Sequence, residues 1–328
     1  MADMFSLSSG DYFNLMIIIF FLTPFVFTIA AMPYIIRKLK ENGHVVRDMY
    51  KADFPLVPTK GGLAILIIAL LALSILTLFY SKVITPINYT IIVVVALFAL
   101  FGTLDDLINI GRPAKLILLY YCSYPLIPLI TNTAILFPLF GNVDLSIIYL
   151  QLIIPTYVPV VANLVNMHSG FNGIAPGLSM IVLVTLIFKA YFFGNIPNAL
   201  FIVCLTGAVA GYFLYERYPS RVFWGNVGSL SIGAAIGAMI VTQSFIISGF
   251  IMLIPHTVNF LMYVYWRLKK YPVAKFGKVR EDGTLEVPNP LTLKWVLPYY
   301  FRMTERTAAY CMYGVTALFC VMGLFYPG

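Results

Sequence analysis

Residues 101–115 read FGTLDDLINIGRPAK, and the pair Asp105–Asp106 closes an apolar run that starts at Tyr89. A carboxylate at a helix C-terminus opposes the backbone dipole, and two side by side repel each other. A solvated helix end is the simple reading. Acids at a membrane boundary need a partner, however, and Mg²⁺ is a natural one for oxygen donors. A second polar cluster, ANLVNMHSGFNGIAPG at 162–177, sets Asn163, Asn166, His168, Ser169 and Asn172 between two apolar stretches. Its glycines allow close backbone approach. An ordinary Asn–Gly turn accounts for one or two of these residues but not the set, so a pocket at the membrane edge is expected. A third, YPSRVFWGNVGSL at 218–230, places Arg221 among aromatic residues. It reads as an interfacial belt or as a Gly225–Gly228 turn offering polar groups to an anion or metal at a helix start. Asp48, Lys51 and Lys60 in RDMYKADFPLVPTKGG read as a juxtamembrane basic patch meeting anionic lipid, and Lys275 and Lys278 in the long polar stretch after residue 266 as lipid contacts or phosphate clamps.

The elements that must position these groups are membrane helices. Of 328 residues, 61% are hydrophobic and 10% charged, against about 25% charged in soluble domains. Ten spans are expected, at roughly 12–36, 62–80, 86–104, 115–131, 148–167, 174–193, 197–215, 226–244, 247–266 and 307–326. The first follows an acidic stretch without a basic region, so it reads as a permanent span rather than a cleaved signal. With ten spans, 19 of the 21 Lys and Arg residues fall on one side. By the positive-inside rule that side is the cytoplasm and both termini are outside. This distribution, rather than the net charge of +8, argues against a nucleic-acid partner. The fold class is thus an all-α polytopic membrane protein, one domain over 1–328. Its cytoplasmic loops are about 37–61, 105–114, 168–173, 216–225 and 267–306, and 131–147 is an extracellular hairpin. The four cysteines lie in apolar segments and read as packing residues. So does His256, while Asn259 is a minor site candidate.

Together, DMYKADFPLVPTKGG, FGTLDDLINI, NMHSGFNGIAPG, YPSRVFWGNVGS and the 267–300 loop resemble, in order and over nearly the whole chain, the polyprenyl-phosphate N-acetylhexosamine-1-phosphate transferases. The resemblance is closest to the archaeal and eukaryotic UDP-GlcNAc:dolichyl-phosphate branch. It implies transfer of GlcNAc-1-phosphate from UDP-GlcNAc to a polyprenyl or dolichyl phosphate with release of UMP, using Mg²⁺ or alternatively Mn²⁺. Asp105 would activate the lipid phosphate and Asp106 support the metal or nucleotide region. Asn166 and Asn226 match the metal ligands, and Asn172 a uracil or sugar contact. Lys115, Lys275 and Lys278 match pyrophosphate contacts. Asp48, Lys51, Asn109 and Arg221, in the same motifs, complete the expected substrate-binding set. The resemblance is compatible with a homodimer.

Two features depart from the pattern. Asn226 stands where relatives carry Asp, offering a neutral oxygen without charge. Lysines at 275 and 278 replace the arginines of some eukaryotic relatives, losing the bidentate fork. The bacterial branch that transfers MurNAc-pentapeptide phosphate has a His-rich last loop, and this loop has no His. Other readings are the same reaction with a different UDP-N-acetylated sugar, or an ion-coupled secondary transporter. Transporters place their acids near the bilayer midplane within repeats; here the acids gather on one face and no repeat is visible.

Overall fold

The computed structural model describes residues 9–80, 83–108, 110–137, 140–193, 195–272 and 274–327. Asn109 lies outside them. Among these residues, thirteen α-helices and three two-stranded hairpins follow in order. α1 (Ser9–Glu41) leads to the hairpin β1 (Val45–Arg47) and β2 (Leu56–Pro58), then α2 (Gly62–Tyr80), α3 (Pro86–Ile108) and α4 (Arg112–Cys122). The hairpin β3 (Ala134–Phe137) and β4 (Gly141–Asp144) precedes α5 (Ser146–Ile148), α6 (Ile154–Met167), α7 (Ile174–Phe192), α8 (Leu200–Glu216) and α9 (Gly225–Thr242). α10 (Ile246–Met252) and α11 (Ile254–Leu268) follow. The hairpin β5 (Lys278–Val279) and β6 (Leu285–Glu286), α12 (Leu293–Tyr300) and α13 (Glu305–Phe325) complete the chain.

Among the described residues, eight helical segments are long and apolar enough to cross a membrane. The other two expected spans take different forms. One is the pair α10–α11, bent by 65°. Pro255 opens α11, and without an N–H it cannot continue the helical ladder across the break. The other is the apolar stretch Ala114–Leu129, which is short of the ~20 residues a straight span needs. The expected 131–147 hairpin forms as β3–β4, with Ala134 opposite Asp144.

α8 and α9 form the centre, 78% and 83% buried, whereas α1 is 28% buried on the outside. Their neighbours approach closely because small residues face them. A Cβ on Gly62 would lie 2.3 Å from the Gly228 Cα, and one on Gly233 2.6 Å from the Ala162 Cα. These contacts seat α2 and α6 directly against α9. At the far end of α7, Lys189 is fully buried. Its ammonium donates to the carbonyls of Leu324 and Tyr326, at 3.3 and 2.8 Å, capping the end of α13. All four cysteines are free thiols.

Candidate active site

Asp105 and Asp106 end α3, but each has its own partners. The Asp105 Oδ2 accepts from the Lys115 ammonium at 3.0 Å and from the Asn226 side-chain amide at 3.1 Å. Its Oδ1 accepts from the Ile110 N–H at 3.1 Å. Asp106 accepts the backbone N–H groups of Asn226 and Val227 at 3.2 and 3.3 Å. It therefore closes α3 while capping the positive end of α9, and the second helix offsets the cost of the first. Gly225 makes this approach possible: it has φ +71°, and a Cβ there would lie 2.8 Å from the Asp106 Oδ2. Asn166, on α6, joins the same helix start by accepting from the Ser229 hydroxyl at 2.8 Å. The expected turn at Gly225–Gly228 is the first turn of α9.

An open cavity of about 410 Å³ lies beside this junction. Asp48, Asp106, Asn166, Asn172 and Asn226 line it, with aromatic walls from Phe171, Phe223, Trp224 and Phe276. Asp105, Lys51, Lys115 and Arg221 are not among the lining residues. Lys275 and Lys278 are exposed on either side of Phe276. Arg221 stacks over the Tyr215 ring at 4.6 Å.

The far wall is a buried polar network. Glu305, at the start of α13, accepts the Asn172 N–H at 2.6 Å and the Lys51 ammonium at 2.5 Å. Asp48 accepts from Lys51 at 3.2 Å and from the Asn172 amide at 3.0 Å. The Asn172 carbonyl oxygen accepts the Ser220 N–H at 2.9 Å. Asn172 thus spends both ends of its side chain within the protein, tying three segments together at the cavity wall. Glu305 was absent from the expected site. Its signal is an acid opening an apolar run, behind the Thr304 cap, a position that charge partition alone does not distinguish from a solvated cap.

Behind the loop after α6, His168 packs edge-on to His256 at 4.7 Å. Both ring nitrogens of His168 lack a hydrogen-bond partner. Burial, then the neighbouring His256 and Lys294, holds the His168 imidazole well below its ordinary pKa, so it stays neutral. The Lys294 ammonium donates to the Ser169 carbonyl at 2.6 Å. It occupies the space a Cβ on Gly170 would need, 2.1 Å away. Burial lowers the Lys294 pKa to about 8. Burial pushes Tyr50, which receives the Trp295 indole N–H at 3.1 Å, up to about 12. Asn259 bridges the Met167 carbonyl and the Leu293 N–H, which makes it a strut between α11 and α12.

The donors at the cavity suit a hard cation only in part. Among the described residues, no group of three His, Cys, Asp or Glu could hold a metal ion. One carboxylate, Asp106, and two amide-bearing residues, Asn166 and Asn226, line the same wall. The carboxylate and carbonyl oxygens already engaged retain further lone pairs. Mg²⁺ commonly takes one or two carboxylates and completes its shell with water and substrate phosphate. The set fits an ion shared with a phosphate ligand, not a closed protein cage.

Known proteins resemble this chain along most of its length. The family model described as glycosyl transferase family 4 matches residues 88–244, a stretch that contains Asp105, Asp106, Asn166 and Asn226. A protein of Saccharolobus solfataricus, provisionally named UDP-N-acetylglucosamine–dolichyl-phosphate N-acetylglucosaminephosphotransferase, is 28% identical over 92% of this chain and 94% of its own length. Its namesake in Sulfolobus acidocaldarius is 26% identical over 92% and 93%. A phospho-N-acetylmuramoyl-pentapeptide-transferase of Thermoanaerobacter sp. is 32% identical over 65% of this chain and 71% of its own. The chain belongs to glycosyl transferase family 4, the polyprenyl-phosphate N-acetylhexosamine-1-phosphate transferases whose motifs its sequence carries.

Proposed function

We propose that this chain is a single integral-membrane domain that transfers GlcNAc-1-phosphate from UDP-GlcNAc to a polyprenyl phosphate such as dolichyl phosphate. It would thereby begin lipid-linked glycan assembly at the cytoplasmic face. The observation that carries the reading is the convergence of Asp105, Asp106, Asn166 and Asn226, from three separate segments, on one helix start beside the cavity. The asymmetry of Lys and Arg across the ten spans expected from sequence supports a cytoplasmic site face, with both termini outside. Matches to the two archaeal relatives along almost their whole length favour GlcNAc, as does the absence of His from the last loop.

In this reading an oxygen of the lipid phosphate attacks the sugar-bearing phosphorus of UDP-GlcNAc. The bond from that phosphorus to the bridging oxygen breaks, and UMP leaves with the electron pair. The nucleophile is already anionic, so positioning and charge neutralisation dominate. Asp105 orients the attacking group, held in place by the Lys115 ammonium and the Asn226 amide on one oxygen. Lys115 brings a cation beside the lipid phosphate. Asp106 keeps the α9 start in register, and Asn166 and Asn226 would hold a Mg²⁺ through their amide oxygens. When bound, that ion would neutralise charge on the diphosphate and the departing UMP. Asp48, Lys51 and Asn172 set the wall on which the nucleotide-sugar lies, while Lys275 and Lys278 flank its entry.

The test is release of UMP from UDP-GlcNAc by the purified chain, with and without dolichyl phosphate, beside Asn226→Asp. We expect release that needs both the lipid phosphate and Mg²⁺, with Asn226→Asp working at lower Mg²⁺. UMP release by neither protein, with either UDP-GlcNAc or another UDP-N-acetylated sugar, overturns the proposal.

A further inference from the structure

Tyr50 lies in the turn between β1 and β2 and lines the cavity beside Phe171 and Phe276. Its side chain is buried, and both rings meet it edge-on, with centroids at 5.0 Å for Phe171 and 6.0 Å for Phe276. Its backbone N–H donates to the Asp48 Oδ1 at 3.1 Å, and Asp48 is itself held by Lys51 and Asn172. The ring therefore stands on a fixed base. At its far end the hydroxyl accepts two donors, the Trp295 indole N–H at 3.1 Å and the Gly277 N–H at 3.4 Å. One side chain thus joins the β1–β2 turn, the loop after α6, the segment before β5 and α12.

Residues 274–279 need such a hold. They supply Phe276 to the cavity wall and carry Lys275 and Lys278 on either side of it. Phe276 is 46% exposed, and a segment with so little of its apolar surface buried opens readily. On one side, β5 pairs with β6, and the Leu285 N–H ties that hairpin to the Met303 carbonyl at 2.9 Å. Gly277 lies close against β6: a Cβ there would be 2.6 Å from the Glu286 carbonyl. On the other side, among the described residues, the Gly277 N–H to Tyr50 is the one hydrogen bond from 274–279 to another segment of the cavity wall. Its length puts it at the weak end of the range, and the Tyr50–Phe276 ring contact reinforces it. Burial pushes Tyr50 up to about 12, so the hydroxyl stays a neutral acceptor through neutral and mildly alkaline pH.

We infer that Tyr50 is a positioning residue: its hydroxyl seats Gly277 and so holds Phe276 in the cavity wall, where it sets the affinity for the nucleotide-sugar. The affinity half rests on the function proposed above; the seating half does not, and each has its own readout. Tyr50→Phe keeps the ring contacts and removes only the acceptor. The first readout is trypsin cleavage of the full-length chain in detergent micelles, with fragments identified by mass. Cleavage after Lys275 and Lys278 should quicken by about 3- to 10-fold in Tyr50→Phe, the equivalent of one ordinary hydrogen bond. Cleavage after Lys40, at the exposed end of α1, should not change. The second readout is turnover with Mg²⁺ and dolichyl phosphate. Tyr50→Phe should raise KM for UDP-GlcNAc by about 3- to 10-fold, with kcat and the KM for dolichyl phosphate within about twofold of wild type. In a Phe276→Ala background the same substitution should move KM by less than about twofold, because its effect passes through that residue. Unchanged cleavage after Lys275 and Lys278 overturns the seating, whatever the reaction. Equal quickening after Lys40 overturns it too, because the loss is then global. Quickened cleavage with an unchanged KM, or a KM effect that persists in full without Phe276, overturns the role in binding and leaves the proposed function standing. Wild type that turns over no UDP-sugar removes the proposed function and the affinity half together, while cleavage still decides the seating.

Discussion

Replacing Glu305 removes a carboxylate that touches both the Lys51 ammonium and the Asn172 N–H. Glu305→Ala leaves that N–H buried without an acceptor, costing about 1–3 kcal/mol. It also strips Lys51 of one of two carboxylates. Breaking a buried ion pair costs about 3–5 kcal/mol when the survivor is stranded. Lys51 keeps Asp48 at 3.2 Å, so the charged hydrogen bond itself, about 1.5–3 kcal/mol, is the better figure. Together the expected loss is about 3–5 kcal/mol. Glu305→Gln retains an acceptor for Asn172 and should cost about 1.5–3 kcal/mol. The two residues are coupled, so Lys51→Met with Glu305→Gln should cost less than the sum of the singles by about 1–2 kcal/mol. Unfolding free energies in micelles titrated with SDS measure each corner of this cycle. Additivity within about 0.5 kcal/mol would refute the pairing. Because Asp48 and Asn172 line the cavity, Glu305→Ala should also weaken UDP binding.

Three further outcomes are expected. Asn226→Asp removes the amide donor to Asp105 and adds a third carboxylate, so the metal-free protein should lose about 1–3 kcal/mol of stability while half-maximal turnover shifts to at least about tenfold lower Mg²⁺; an unchanged Mg²⁺ titration would remove Asn226 from the ion's shell. Lys294 has a folded pKa of about 8, below its unfolded value near 10.4. The unfolded chain therefore binds more protons between those limits, and wild type should gain on the order of 2 kcal/mol over Lys294→Met as pH rises from about 8 to 10.5; a flat difference across that range would count against it. His168→Leu replaces two unpartnered buried nitrogens with an apolar side chain. It should raise stability by about 1 kcal/mol and leave turnover intact; loss of turnover at normal stability would show that the imidazole acts in the site.

Much of this molecule is legible in one dimension. The apolar runs at 62–80 and 174–193 become α2 and α7 with nearly the expected ends, because a run of that length in hydrocarbon must satisfy its backbone internally as a helix. The start of α9 at Gly225 is equally readable, from a turn signal followed by an uninterrupted apolar stretch. The α10–α11 break was not, since span boundaries register hydropathy and Pro255 lies inside an apolar window. The acids Asp105 and Asp106 stood out because a membrane sequence seldom tolerates such a pair.

What tertiary structure alone decided is who satisfies whom. Sequence gave Asp105–Asp106 a metal and a phosphate as partners; the fold adds the Asn226 amide and the first N–H groups of α9, more than a hundred residues away. It made Asn172 a strut at the cavity wall and brought Glu305 from the last helix to that wall. Local composition determines that a segment crosses the bilayer, because burial in lipid depends on each residue's own transfer energy. Hydrogen bonds and ion pairs depend on distances of about 3 Å between remote segments, and those distances exist only once α3, α6, α9 and α13 have packed.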